Sequence, residues 1–256
     1  MATVDMNALI CEAAESVRVG VVLTTVPEGR DCVVIGEKGC SVDYKSAMDE
    51  VANSFSFDQA VTVDNIESFH PELLQPLTES LSSGFNGALL ICGASTETTR
   101  ALTDYGIIKQ VLENLFSCIK SQVKEELFIS ASFLQFYPDG SAVDHLSLNK
   151  QTPQVVTHPV LGGCSSLFSV AVEWELHPQE VESVVCRSRL QLFSLAGGAS
   201  RTDLRGVSPL VRAVDQVLNS VATATVNLLP FLLNEALTGN SKTVLIYCIN
   251  PQGQLG

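Results

Sequence analysis

Apolar residues arrive in short, nearly unbroken runs separated by polar turns, the pattern of strands buried on both faces of a sheet. Residues 17–25 (VRVGVVLTT) are β-branched and mostly apolar and predict a buried strand, ended by Pro27-Glu28-Gly29. Shorter strands are expected at 32–36 and around Phe55–Phe57, and longer ones at 87–92 (GALLIC), 126–137 (ELFISASFLQFY) and 243–249. Residues 167–176 alternate apolar and polar, and residues 188–195 do so more weakly; both predict strands. Between them the period lengthens to that of a helix. Leu73, Leu74, Leu77 and Leu81 fall on one helical face within 66–81, where Pro71 and Pro76 limit or bend the helix. Further helices are predicted over 101–120, 207–225 and 228–237, the last capped by Gly239-Asn240. Pro138-Asp139-Gly140 marks a turn, and 139–163 read as polar loop. Residues 1–16 form a short helix or arm, and residues 17–256 one α/β domain: a central, mostly parallel or mixed sheet with helices on both faces.

Composition narrows the class. Of 256 residues, 46% are hydrophobic and 17% charged, enough for a large core and too apolar for a disordered chain. No run approaches the roughly 18 apolar residues that span a bilayer, and no basic start leads into an apolar stretch, so neither a membrane span nor a secretory signal is expected. The eight cysteines are scattered without zinc spacing, which fits reduced cytoplasmic thiols. Net charge is −13, which argues against nucleic acid as a partner. The charge is uneven: residues 1–128 carry 19 acidic and 8 basic side chains, residues 129–256 carry 9 and 7. An acidic partner would therefore meet the second half.

Little conventional catalytic chemistry is present. There is no G-x-S-x-G, Asp144-His145 stand together in a polar loop, and His70, His158 and His177 each precede a proline at an element boundary. No metal site is expected. Trp174, between Glu173 and Glu175 on a strand, belongs to the core.

The stretch 87–116 is more specific. A strand, a turn and a helix succeed one another there, the context of a phosphate-binding loop of the type G-x-x-x-x-G-K-[ST]. Counting from Gly93 through Ala94, Ser95, Thr96 and Glu97, the second Gly, the Lys and the Ser/Thr fall on Thr98, Thr99 and Arg100. The scaffold of such a loop is kept and its phosphate-gripping side chains are not.

Several segments, in order, resemble the kinesin motor domain. Phe55-Ser56-Phe57-Asp58-Gln59-Ala60-Val61 is similar to that family's FxFDxVF strand, and Gly84-Phe85-Asn86-Gly87 through Gly93 to its G-[FY]-N-[GA]-T-[IV]-F-A-Y-G. Tyr105-Gly106-Ile107-Ile108 with Leu115-Phe116 resembles GIIPR…LF, residues 188–198 resemble the strand ending in LVDLAGSE, and residues 237–243 (LTGNSKT) resemble LGGNSKT. Together they cover about residues 17–251. The resemblance implies a kinesin-like P-loop NTPase fold, ATP and Mg²⁺ as cofactors, and microtubules as partner.

Departures from the family pattern weaken the implied chemistry. The family's switch I, N-x-x-SSRSH, meets His158 and then Leu161-Gly162-Gly163-Cys164-Ser165. Its switch II Asp and Glu fall on Ser194 and Ala199, either side of Gly197, and its base-contacting RxRP falls on Thr24-Thr25-Val26-Pro27. Hydrogen bonds to charged groups are worth roughly 1.5–3 kcal/mol each. Losing three or four removes on the order of 5–10 kcal/mol, about 10³–10⁷ in affinity. Glu97 would also repel a triphosphate. Arg100 stands where Mg²⁺ needs a ligand, and a guanidinium coordinates no cation. In the helix that resembles the family's SKLTRLLQDSL, Leu228 and Phe231 replace Lys and Arg, leaving Arg201, Arg205 and Arg212 as the modest basic cluster for a microtubule contact. The family's last helix and neck linker do not come after Ile249, so one sheet face is expected to be covered by the N-terminal arm or to serve for docking.

The expectation is a pseudo-motor: a cytoplasmic, cytoskeletal binding module with a degenerate ATP site over Gly93–Arg100, no catalytic residue, no metal and no cofactor unless weak ATP and magnesium binding survives. Tubulin or another cytoskeletal protein would be its partner. The alternatives are an atypical ATP-driven microtubule motor and a non-motor partner subunit or scaffold. Oligomeric state is not readable.

Overall fold

The computed structural model describes residues 17–23, 33–44, 53–93, 107–122, 127–137, 141–147, 164–176, 184–195, 228–238 and 240–249. Eleven strands and three α-helices lie within them: β1 (Arg18–Leu23), β2 (Val33–Ile35), β3 (Ser41–Tyr44), β4 (Asn53–Ser56), β5 (Gln59–Thr62), α1 (Gln75–Ser82), β6 (Asn86–Cys92), α2 (Ile107–Gln122), β7 (Leu127–Phe136), β8 (Ala142–Asp144), β9 (Ser165–Leu176), β10 (Val184–Leu195), α3 (Leu228–Leu237) and β11 (Ser241–Ile249). Eight strands form one mixed sheet in the order β5-β1-β11-β6-β10-β9-β7-β8, and β2-β3-β4 form a small antiparallel sheet beside it. From β5 to β10 every pairing is parallel; from β10 to β8 every pairing is antiparallel.

Alternation along the central strands sends side chains to two cores. Leu89 and Ile91 of β6 meet Leu73, Leu74, Leu77 and Leu81 around α1 and Ile107, Val111 and Leu115 of α2. Ala88, Leu90 and Cys92 face the other way, to Leu233 and Ala236 of α3 and Phe193 of β10. Helices therefore cover both faces, as the continuous apolar runs require. Val170, Val172 and Trp174 of β9 join the first core, so the single tryptophan is a packing residue, 3% exposed.

Two expectations are corrected. The helix expected over 66–81 is three pieces, a 3₁₀ stretch Val63–Phe69, a π turn His70–Leu74 and then α1. Pro71 and Pro76 lack the backbone N–H a continuous helix would use, and Pro76 sits where an α-helix tolerates it, in the first turn. The loop expected over 139–163 contains β8, whose Ala142, Val143 and Asp144 pair with Phe136, Gln135 and Leu134. Backbone pairing alone makes that strand, and no apolar period announces it. The expected arm 1–16, the 207–225 helix and the Pro138–Gly140 turn lie outside the described residues.

Candidate functional site

In open sheets of this kind, ligands bind beyond the carboxyl ends of the parallel strands. Four of the sequence-predicted positions lie at that end. Gly93 directly follows β6; Ser194 is the penultimate residue of β10, level with Ile91 of β6. β9 starts where β10 finishes, Ser166 opposite Ser194, which puts Cys164 and Ser165 at the same end. Residues 94–100, Gly197, Arg201, Arg205 and Arg212 lie outside the described residues.

Gly93 is dictated by its surroundings. Its φ is +74°, and a Cβ there would stand 2.6 Å from the Cys248 carbonyl oxygen of β11. A side chain meets both a left-handed backbone and a neighbouring main chain, so the chain can leave the sheet here only as glycine.

The flanking groups are neutral. Burial, with a further push from Cys248, raises the Cys92 thiol to about 12, and burial raises Cys248 to about 12. The Tyr247 hydroxyl is raised too, by burial first and then by the two thiols. All three are protonated at neutral pH. The described cations of the large sheet, Arg18, Arg187, Arg189 and Lys242, sit in the first halves of their strands, toward the opposite end. At the ends of β6 and β10 and the start of β9, the described side chains supply neither a cation for a phosphate nor a carboxylate for Mg²⁺.

The segments carrying the family resemblance have structural work instead. Asn86 N–H donates to Asn240, both to its backbone O (2.9 Å) and to its Oδ1 (3.0 Å). Asn86 Oδ1 accepts from Arg189 N–H at 3.0 Å, and Thr243 Oγ1 donates to the Ala236 carbonyl. One asparagine on each side thus ties β6 to β10 and to the turn between α3 and β11. Asp58 Oδ2 accepts from Val19 N–H at 2.6 Å, while Asp58 N–H donates to the Val19 carbonyl at 3.0 Å, fixing β5 to β1. On α3, the two apolar replacements Leu228 and Phe231 are exposed.

One surface was not foreseen from sequence. Away from Gly93, a cavity of about 710 Å³ opens beside α3, with Phe128, Ser130, Glu173, Arg187, Arg189 and Glu235 in its lining. Arg187 Nε donates to Glu173 Oε2 at 2.7 Å, and that carboxylate holds the guanidinium pKa up. The pair spans two strands, and only the β9–β10 register brings it together. No group of His, Cys, Asp and Glu among the described residues is arranged for a metal ion, and no described helix is long and apolar enough to cross a membrane.

The sheet order is that of a P-loop-NTPase-like α/β fold. More narrowly, the chain folds as a kinesin motor domain. The motor domain of the Kar3-like kinesin from Ashbya gossypii matches with a TM-score of 0.68 at 17% identity, covering 93% of each chain. The structure of a fast kinesin matches with a TM-score of 0.67 at 17% identity, covering 91% of this chain and 86% of that one. In sequence, the chain is 25% identical over 105 residues to the kinesin-like protein KIF3C of Bos taurus, a stretch that is 37% of this chain and 13% of that relative's length. No protein-family model matches.

Proposed function

We propose that this protein is a cytoplasmic, cytoskeleton-associated binding module on a kinesin motor scaffold, a pseudo-motor that holds a partner without an ATP-driven cycle. The observation carrying this reading is the side-chain set at the end of the sheet: Gly93, Cys164, Ser165 and Ser194 beside two neutral thiols, where phosphoryl transfer needs cations and a metal ligand. Thr98, Thr99 and Arg100 in place of Gly, Lys and Ser/Thr support it from the sequence. The partner is the microtubule or another cytoskeletal protein. Exposed Leu228 and Phe231, where the resemblance places Lys and Arg, favour a contact less dependent on charge than a motor's.

The test is ATP turnover with and without microtubules, run beside microtubule co-sedimentation across salt. The expected result is no stimulated turnover. Stimulated hydrolysis above about 0.1 s⁻¹, approaching ordinary enzyme rates, would overturn the reading in favour of an atypical motor. No pelleting even at low salt would remove the microtubule as partner and leave another cytoskeletal protein.

A further inference from the structure

The half of β7 that β8 leaves uncovered has backbone groups to spare. Odd-numbered residues of β7 turn theirs to the outer edge. Tyr137 N–H donates to the Ser141 carbonyl (2.9 Å), Gln135 pairs with Val143, and the Phe133 carbonyl accepts from His145 N–H (2.7 Å) while its N–H donates to Asp144 Oδ1 (3.1 Å). By the alternation of an antiparallel ladder, Leu127, Ile129 and Ala131 present theirs the same way, and no β8 residue reaches them. Among the described residues no backbone group pairs with that edge. Phe128 is 64% exposed and Ile129 46%, on opposite faces of the strand. The window Leu127–Ser132 contains no charge and no proline, the usual protections of a free edge.

We propose that this edge pairs antiparallel with the same edge of a second copy of the chain, with Ile129 facing Ile129 across a two-fold axis and the sheet running on through both molecules. The window sets the occupant and the register. Its outward residues are symmetric about Ile129, so Leu127 meets Ala131 of the second copy, and each facing pair exchanges two hydrogen bonds. Moving the axis to Ser130 would set Leu127 against Phe133, whose outward groups Asp144 and His145 already hold. Side chains complement as well: Leu127 stands opposite Ala131, and Phe128 opposite Ser130, large against small on each face. With a net charge of −13, two copies repel in general, and an uncharged edge is where they can approach. This inference is independent of any nucleotide.

Sedimentation equilibrium of the full chain across a concentration series tests it. A monomer–dimer equilibrium is expected, tightening with salt. Ile129→Lys and Ile129→Glu, each placing like charges face to face, are each expected to weaken dimerisation at least tenfold, and an equimolar mixture of the two to restore it. Hydrogen exchange on the unmutated chain serves as a readout free of any folding defect: the Ile129 and Ala131 amides should slow at least tenfold as concentration rises, while Phe128 and Ser130 stay unchanged. A chain that stays monomeric throughout, dimers that survive both substitutions, a mixture no better than its parts, or edge amides indifferent to concentration would each overturn the proposal.

Discussion

Replacing Gly93 by alanine sets two penalties against a small gain. The left-handed backbone, φ +74°, costs an L-residue roughly 1–2 kcal/mol. The new Cβ at 2.6 Å from the Cys248 carbonyl oxygen, and 3.6 Å from the Tyr247 ring, cannot rotate away, because both it and the oxygen belong to strand ends held by the β6–β11 ladder. Forcing those ends apart resembles overpacking, about 1–3 kcal/mol. A stiffer unfolded chain returns roughly 0.4–1 kcal/mol. The expected net loss is about 2–4 kcal/mol, measured by urea unfolding with m unchanged. Gly84 is the internal control: its φ is +83°, yet nothing lies within 4 Å of its Cβ position. Gly84→Ala should cost about 1 kcal/mol or less, the backbone term alone. If Gly93→Ala cost no more than Gly84→Ala, the close approach of β6 to β11 would not be a constraint, and glycine at the loop mouth would need another reason.

Raised thiols give a pH signature. Both native thiols sit at about 12 against an ordinary 9.0, so their contribution is complete below pH 9 and is lost as pH climbs from 9 toward 12. At pH 10 each should have lost about 1.4 kcal/mol, and the loss should shrink in a Cys92→Ala/Cys248→Ala variant whose stability is followed from pH 8 to 10. Leu74→Ala empties a fully buried position between α1 and the sheet and should cost about 2–5 kcal/mol by denaturant unfolding. Asn86→Ala removes the acceptor for Arg189 N–H at an exposed strand start and should cost only about 0.5–1.5 kcal/mol, because Asn86 N–H keeps its bonds to Asn240.

Burial made part of the fold legible in the sequence. Leu73, Leu74, Leu77 and Leu81 show their shared face because one core collects them all, and Val170, Val172 and Trp174 show their strand because alternate residues of β9 enter that core. Where pairing rather than burial makes the element, the pattern is silent. β8 is held by three residue pairs to β7, and β10 begins at Val184, before the expected 188, because β9 continues beside it. Partnerships between distant segments were equally hidden: Glu173 with Arg187, Asn86 with Asn240, the Gly93 position against Cys248. Each depends on register, which a one-dimensional pattern does not contain. At the carboxyl end of the parallel strands, strand order and register place Gly93, Cys164, Ser165 and Ser194 at one end of the sheet.

The same distinction bears on how a motor fold stands without motor chemistry, as the proposed function requires. The residues that carry the likeness hold strands together: Asn86 bridges β6 to β10, Asn240 and Thr243 fasten the α3–β11 turn to its neighbours, Asp58 clamps β5 to β1, and Gly93 lets the chain leave the sheet beside Cys248. None of these jobs needs a phosphate, a metal or a proton transfer. In folds of this kind the groups that bind a ligand stand outside the packed layers, so a change in them leaves cores and strand pairings intact. On the proposed reading such a scaffold sheds its chemistry and stays folded, because both cores and the strand pairings are built from other residues.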